Sequence, residues 1–333
     1  MSENPDGADT WGIELTPERP VTELTDHAVA AEAAGFDVVF ASHHYNNRDE
    51  FVALADAAGA TSTVGLGPGI VNPFEVHPVT LASRMATLDE LAGGRGVFGV
   101  GPGDAATLEN LGVDQDRPLR RVLETIRVAR RLWDGERVDH SGTFTARDAG
   151  LNYETGEIPV YVGAQGPDMT RMAAKYADGI LYNGSHPLDI EWAADRVAEG
   201  VAERSGERDA VDFAAYASVS LAADRDAARA AARPPVAFIA GSAPPPVLDR
   251  HGLDRDRAGE IGDAIAAGAF SEAFDLVTGG MIDAFSIAGT PETVGDRIDA
   301  VLESADSLVV GSPLGPDAGE AIELAGEVLR RRQ

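Results

Sequence analysis

The stretch that decides the fold reads Gly65-Leu66-Gly67-Pro68-Gly69-Ile70-Val71-Asn72, continues through an amphipathic helix pattern, and ends in Gly96-Val97-Phe98-Gly99-Val100-Gly101. This is the pattern of a strand, a helix and a second strand, with glycines crowded at the end of each strand. Glycine weakens a strand by about 0.5–1 kcal/mol relative to alanine. Repeated glycines at strand ends therefore indicate a backbone that closely approaches another group.

The rest of the chain repeats this plan, because short apolar runs recur and each is followed by a helical pattern. The eight runs are Gly12–Leu15, Val38–Ala41, Val64–Pro68, Val97–Gly101, Pro159–Gly163, Gly179–Tyr182, Phe213–Leu221 and Leu308–Gly311. Strands that alternate with helices are typical of parallel βα units, and eight such units predict an α/β fold of the closed (β/α)8 TIM barrel type. An open, doubly wound sheet is the alternative, but eight units fit a barrel better.

Two connections are longer than a barrel requires. Residues 102–158, after the fourth strand, include a predicted hairpin around residues 137–152. Residues 222–306, after the seventh strand, contain several extra helices. Long insertions in compact domains are often functional lids or interfaces. We interpret residues 1–333 as a single barrel domain that carries a helical insertion at residues 222–290.

The composition limits the class of protein. The 333 residues include 55 acidic and 27 basic side chains, for a formal net charge of −28, and no cysteine, which excludes disulfides and thiolate catalysis. Since such self-repulsion is screened well only at high salt, we interpret the charge as adaptation to a high-salt cytoplasm. The same charge disfavours nucleic acid and anionic membranes as partners. No apolar run reaches the roughly 18 residues of a membrane span, so we expect a cytoplasmic protein.

Polar side chains collect where the predicted strands end, which is where barrel enzymes place their active sites. Glu14 lies alone on the first apolar run, and burial there disfavours a charged carboxylate. Glu14 is therefore a candidate general acid, with a structural ion pair as the alternative. His43 and His44 are adjacent on a strand and point to opposite faces, so they are a poor chelating pair and we predict no metal site.

A glycine turn, Gly163-Ala164-Gln165-Gly166, leads into a predicted helix. Free backbone N–H groups at such a helix start can hold a phosphate group. The signal is weak, since glycine turns between strands and helices are common. No segment completes a dinucleotide-binding fingerprint, and none matches a phosphate-binding Walker loop.

The strand-end motifs resemble those of the coenzyme F420-dependent methylene-tetrahydromethanopterin reductases, which belong to the bacterial luciferase-like superfamily. The resemblance follows the order of the chain and spans almost all of it. The matching stretches are Gly12–Leu15, His44–Asn47, Leu66–Pro73, Ala86–Asp89, Gly101–Asp104, Gly163–Pro167, Ala284–Gly289 and Gly311–Asp317.

The resemblance implies an oxidoreductase of one-carbon metabolism. Reduced coenzyme F420, acting as a cosubstrate, would transfer a hydride directly to an N5,N10-methylene-tetrahydropterin and yield the N5-methyl form. Glu14 matches the catalytic glutamate of the family and would protonate N10 of the pterin. A non-prolyl cis peptide bond is implied at Gly69–Ile70, in a bulge that supports the deazaflavin ring. The resemblance also implies a homodimer or a homotetramer.

The resemblance further assigns binding residues. Asp104 and Gln165 would face the substrate, although Asp104 could instead cap the helix that follows it. The implied cofactor-binding residues are His43, His44, Gly69, Ile70, Val71, Asn72, Gly163, Ala164, Gln165, Gly166 and Asn183. The sequence departs from the family at His43, where an aspartate is usual, so that a neutral or cationic contact replaces an anionic one.

Several alternatives stay open from the sequence. The chain could be another F420-dependent oxidoreductase of the secondary alcohol dehydrogenase type, or a luciferase-like monooxygenase that uses flavin mononucleotide. It could also bind a deazaflavin or a pterin without catalysis. Within the leading interpretation, the pterin could be tetrahydromethanopterin or tetrahydrofolate.

Overall fold

The computed structural model describes residues 10–205 and 210–332. Outside the two predicted insertions, the strands and helices of these residues alternate as the sequence predicts. They are β1 (Trp11–Leu15), α1 (Val21–Ala34), β2 (Val38–Ala41), α2 (Glu50–Ala60), β3 (Gly65–Pro68), α3 (Pro78–Leu91), β4 (Phe98–Val100), α4 (Ala105–Asn110), α5 (Pro118–Trp133), β5 (Val138–Ser141), β6 (Thr145–Ala149), β7 (Val160–Ala164), α6 (Pro167–Tyr176), β8 (Gly179–Asn183), α7 (Pro187–Ala202), β9 (Asp212–Leu221), α8 (Arg225–Ser242), α9 (Pro245–Arg250), α10 (Arg255–Ala266), α11 (Phe270–Leu276), α12 (Gly279–Phe285), β10 (Ile287–Gly289), α13 (Pro291–Leu302), β11 (Ser307–Leu314) and α14 (Ala318–Arg330).

Eight of the strands form a parallel sheet in the order β3-β2-β1-β11-β9-β8-β7-β4. The two ends of this sheet meet, because isolated parallel bridges join Leu66 to Gly96 and Val71 to Val100. The Val97 N–H donates to the Leu66 carbonyl oxygen at 3.0 Å along the same seam. The predicted barrel is confirmed, and each of the eight predicted runs forms one of its strands.

Glycines make the closing seam possible. A Cβ atom at Gly67 would collide with the carbonyl group of Val97, and one at Gly99 would collide with the carbonyl group of Pro68. Strands β3 and β4 can therefore come together only because neither glycine carries a side chain. This is the close approach that the glycine-rich opening stretch indicates.

Side chains alternate between two apolar layers, as expected for strands buried on both faces. Phe40, Leu181 and Val309 fill the interior of the barrel together with Val97 and Ala214. The residues on the other face of each strand pack against the surrounding helices in a larger core. The barrel interior is thus a packed core, which leaves the strand ends as the place for chemistry.

Many of the helices begin at an aspartate whose side chain accepts a hydrogen bond from a backbone N–H in the first turn. Asp49, Asp224, Asp254 and Asp317 cap α2, α8, α10 and α14 in this way. Such a cap satisfies a donor that the helix itself cannot, and typically contributes about 1 kcal/mol. Part of the large acidic excess of the chain therefore serves to start helices.

The two insertions lie where the sequence places them, with one difference. Strands β5 and β6 form the predicted antiparallel hairpin. Helices α8 to α12 have an apolar core of their own, which includes Val236, Ile261 and Met281. The range predicted to be helical, residues 222–290, also contains strand β10. This strand forms because β9 is ten residues long and its end extends beyond β8, so that Ile287 can pair with Val219 on that side.

Substitution of Gly67 by alanine tests the role of the seam. We expect Gly67→Ala to lower the free energy of unfolding by about 3 kcal/mol or more, because the added methyl group would overlap backbone that cannot move away. The matched control is Gly59→Ala in α2, where a Cβ atom would meet nothing within 4 Å. That change should raise stability by roughly 0.5–1 kcal/mol. Denaturant unfolding in molar salt measures both, and equal stability of Gly67→Ala and the parent protein would contradict the expectation.

Candidate active site

Glu14 lies at the end of β1, and only 3% of its surface is exposed. The Thr16 hydroxyl donates to Oε1 at 2.7 Å, and the backbone N–H of Ser312 donates to Oε2 at 2.8 Å. Both carboxyl oxygens are therefore held by neutral donors, one from the residue just after β1 and one from β11. Within the described chain neither oxygen forms an ion pair, which does not favour the structural alternative that the sequence leaves open.

Tyr216 on β9 shares this end of the barrel, and sequence reasoning missed it. Its hydroxyl donates to the carbonyl oxygen of Gly69 at 3.2 Å. Burial, together with the charge of Glu14, raises the pKa of Tyr216 well above its ordinary value. The phenol is therefore a neutral donor that ties β9 to the end of β3. An aromatic residue at an inward position among alanines was the available signal.

The end of β3 is a bulge, and its Gly69–Ile70 peptide bond is cis, at the position that the resemblance implies. Phe40 packs so closely against Gly69 that a Cβ atom there would lie 2.7 Å from the Phe40 Cβ. The Ile70 side chain lies over the neighbouring strand ends. A Cβ atom at Gly101 would lie only 2.8 Å from it, and one at Gly163 only 3.1 Å from it. The glycines of β4 and β7 thus leave room for a bulge that lies across the barrel mouth.

The Asn72 side chain is committed to its own turn rather than to the open mouth. Its Oδ1 accepts hydrogen bonds from the backbone N–H groups of Phe74 and Glu75, at 3.1 and 3.0 Å. Its Nδ2 donates to Glu75 Oε1 at 2.7 Å. This is the turn that asparagine commonly forms. Asn72 therefore shapes the loop after the bulge, and its side chain is only 4% exposed.

His43 lies between two carboxylates, an arrangement that we call the His43 clamp and that comprises His43, Glu50 and Glu75. The Nδ1 atom of His43 is 2.8 Å from Glu50, and its Nε2 atom is 3.2 Å from Glu75. Burial lowers the pKa of His43, but hydrogen bonds to and charges on Glu50 and Glu75 outweigh it and raise the pKa to about 9. A cationic imidazole therefore links the start of α2 to the loop after the bulge.

His44 and two other candidate polar residues differ from His43 in exposure. The side chains of His44, Gln165 and Asn183 are all exposed at strand ends. His43, by contrast, is half-buried. The prediction that the two histidines are adjacent on a strand is wrong, because β2 ends at Ala41 and both lie in the loop that follows it. The exposed groups can reach a ligand without rearrangement of the barrel.

Asp104 is the N-cap of helix α4. Its Oδ1 accepts a hydrogen bond from the Thr107 N–H at 2.8 Å, and its side chain is exposed. The capping alternative is thus the contact observed. Gln115, which sequence reasoning did not identify, donates to the carbonyl oxygens of Pro102 and Gly103 at 2.8 and 3.1 Å. Gln115 holds the loop that presents Asp104.

The turn after β7 presents an uncapped helix start. Gly166 is the N-cap of α6, and its backbone is extended, with no side chain to satisfy the first N–H groups. Gln165 and Gly166 are exposed, whereas Ala164 is buried. An exposed, uncapped helix N-terminus is suited to bind an anion.

Residues 10–205 and 210–332 contain neither a clustered metal site nor a membrane-spanning helix. No cluster of three or more histidine, aspartate or glutamate side chains in this part of the chain is arranged to hold a metal ion. In the same residues, no helix combines the length and apolar character needed to cross a bilayer.

The His43 clamp should make stability depend on pH. The pKa of His43 is raised from 6.5 to about 9. The stabilisation by the charged imidazole is therefore fully present below pH 6.5 and is lost as the pH rises through 9. We expect His43→Gln to lower the free energy of unfolding by up to about 3 kcal/mol at pH 6, and by progressively less toward pH 10. Urea unfolding across this range measures the difference. His27→Gln in α1 is the control that should keep the parent profile, and a pH-independent loss in His43→Gln would contradict the assignment.

Comparison with known proteins places the chain in a family. Its residues 8–307 match the luciferase-like monooxygenase family. A 5,10-methylenetetrahydromethanopterin reductase from Archaeoglobus fulgidus is 42% identical over 323 residues, which cover 95% of this chain and 97% of the relative.

Solved structures give the same result. The coenzyme F420-dependent tetrahydromethanopterin reductase from Methanopyrus kandleri superposes with a TM-score of 0.92 at 38% identity, over 98% of this chain and 99% of that one. An F420-dependent secondary alcohol dehydrogenase has a TM-score of 0.79 at 22% identity, over 98% and 99% of the two chains, and so shares the fold. The chain therefore belongs to the luciferase-like family, in its branch of F420-dependent methylenetetrahydromethanopterin reductases.

Proposed function

We propose that the protein reduces 5,10-methylene-tetrahydromethanopterin to the 5-methyl form, with reduced coenzyme F420 as the hydride donor. The observation that carries the proposal is the position of Glu14, a buried carboxyl group held at the same barrel mouth as the Gly69–Ile70 bulge. The proposed reaction is that of the 5,10-methylenetetrahydromethanopterin reductases that match nearly the whole chain. A tetrahydrofolate substrate has no such support.

The residues present fit a deazaflavin with an anionic tail. In our proposal the ring rests against the bulge formed by Gly69, Ile70 and Val71, and Gly101 and Gly163 leave room for the Ile70 side chain of that bulge. The tail would bind at the exposed, uncapped start of α6, with Gly163 to Gly166 as its backbone cradle. His44 and Asn183 would border the ring, since both are exposed at strand ends.

The proposed roles of three polar residues follow from their contacts. Asn72 would shape the ring site through its turn, because its side-chain groups already have partners. His43 would act through the His43 clamp rather than by touching the ring. Asp104 and Gln165 would face the pterin from the exposed rim, with the Asp104 carboxylate shared between the helix cap and the substrate.

Glu14 would supply the proton that the reaction needs. Reduced coenzyme F420, when bound at the bulge, would supply the hydride for the methylene carbon, whose bond to N10 has to break. Glu14 donates its proton to N10 as this bond breaks, so that the carbon remains attached to N5 alone. The Thr16 hydroxyl and the Ser312 N–H then stabilise the carboxylate that remains.

A substrate comparison tests the function. We expect reduced F420 to be oxidised in molar salt with methylene-tetrahydromethanopterin, and much more slowly with methylene-tetrahydrofolate or a secondary ketone. The rise in absorbance of oxidised F420 and the appearance of the methyl product measure this. Oxidation with the ketone but with neither pterin would overturn the proposal, as would dioxygen-dependent turnover with flavin mononucleotide.

Glu14→Gln tests the role of the acid. Glutamine retains the shape and hydrogen-bonding capacity of the side chain but cannot donate the proton, so we expect kcat to fall by about 10²–10⁴-fold. The dissociation constant of F420 should stay close to that of the parent protein, and fluorescence titration of F420 provides this control. Turnover near the parent rate would rule out Glu14 as the acid.

A further inference from the structure

The Ser42 hydroxyl is an unpaired buried group at the barrel mouth. Ser42 directly follows β2, is only 8% exposed, and its Oγ atom is buried without a hydrogen-bond partner among the described residues. Buried polar atoms in native proteins nearly always have a partner, and one left without a partner lowers stability. Such an atom next to a candidate site indicates that its hydrogen-bond partner is a bound ligand.

The alternation of β2 indicates which way Ser42 faces. Val38 and Phe40 belong to the cluster inside the barrel, whereas Val39 and Ala41 belong to the outer core. The Gly69 N–H donates to the Ala41 carbonyl oxygen at 2.8 Å, so the ladder with β3 continues to the edge of Ser42. Ser42 is therefore the next inward position after Phe40, at the open end of the barrel.

The nearest polar groups on both sides already have partners. Leu15 pairs with Ala41, and Ala41 pairs with Pro68, so the next step places Ser42 between Thr16 and Gly69. The Thr16 hydroxyl is used to hold Glu14, and the Gly69 carbonyl oxygen accepts from Tyr216. The Ser42 hydroxyl is thus left without a protein partner at the end of β2, between the residue that holds the candidate acid and the start of the bulge.

We infer that Ser42 is a cofactor-binding residue, whose hydroxyl donates a hydrogen bond to a cyclic amide (lactam) group of the deazaflavin ring. The inference rests on the proposed function. A lactam offers the carbonyl acceptor that an isolated hydroxyl donor needs, and pterins carry the same chemistry. The deazaflavin is favoured because Ser42 adjoins Gly69, at the bulge assigned to the ring.

Ser42→Ala tests the inference through binding and stability rather than turnover. We expect the dissociation constant of F420, measured by fluorescence titration in molar salt, to rise about five- to tenfold. The melting temperature of the ligand-free protein should stay the same or rise, because alanine removes an unpaired polar group. A ligand-binding hydroxyl predicts these opposite effects, whereas a structural hydroxyl predicts lower stability with unchanged affinity.

Ser220→Ala is the matched control. Ser220 is a fully buried serine on β9, and its hydroxyl donates to the Ala228 carbonyl oxygen at 2.7 Å. Its removal should lower the melting temperature and leave the affinity for F420 unchanged. The pair of variants separates a hydroxyl that has a protein partner from one that lacks it.

Each of the other possible outcomes overturns either the inference about Ser42 or the proposed function. Unchanged F420 affinity in Ser42→Ala, or weaker affinity with a lower melting temperature, would overturn the inference. A loss confined to the KM of the pterin would also overturn it and would assign the hydroxyl to the substrate. A parent protein that binds F420 but reduces no pterin would refute only the proposed function, because the affinity measurement does not depend on turnover. A parent protein without affinity for F420 would refute both.

Discussion

The close backbone approach of β3 and β4 is the constraint on which the rest of the structure depends. Gly67 and Gly99 occupy positions where any side chain would overlap the facing carbonyl groups. Closure at this seam turns a curved parallel sheet into a ring. Only in a ring do β1, β3 and β9 present Glu14, the bulge and Tyr216 to one another. A stretch of sequence that would weaken an ordinary strand thus creates the site.

A local ion-pair arrangement offsets repulsion between two carboxylates in this strongly acidic chain. His43 is the cation of the His43 clamp, and it lies between two carboxylates that would otherwise repel each other across the loop after the bulge. An aspartate at this position, which is usual in the family, would place a third carboxylate beside Glu50 and Glu75. The histidine therefore suits these two neighbours, and Glu75 links it to the Asn72 turn that follows the bulge.

The helical insertion is joined to the barrel by backbone pairing and by a buried ion pair. Strand β10 adds to the free edge of β9, while Ser286 bonds to the Ser218 carbonyl oxygen at 3.1 Å. On the other side, Arg250 and His251 both bind the buried Asp189 of α7. Their hydrogen bonds outweigh burial and lower the pKa of Asp189. The insertion is therefore held close to the ends of β8 and β9, beside the barrel mouth.

The sequence by itself determined the eight strands, the closed barrel, the two insertions and the burial of Glu14, because periodicity and glycine placement are local signals. It also indicated the family, through short motifs at the strand ends. Only the tertiary structure decided which residues hydrogen-bond to the site. Ser312 contacts Glu14 across 298 residues of sequence, and Tyr216 contacts Gly69 across 147. The His43 clamp and the unpaired Ser42 hydroxyl likewise depend on which strand ends meet. Such contacts are set by barrel closure, and no local pattern encodes them.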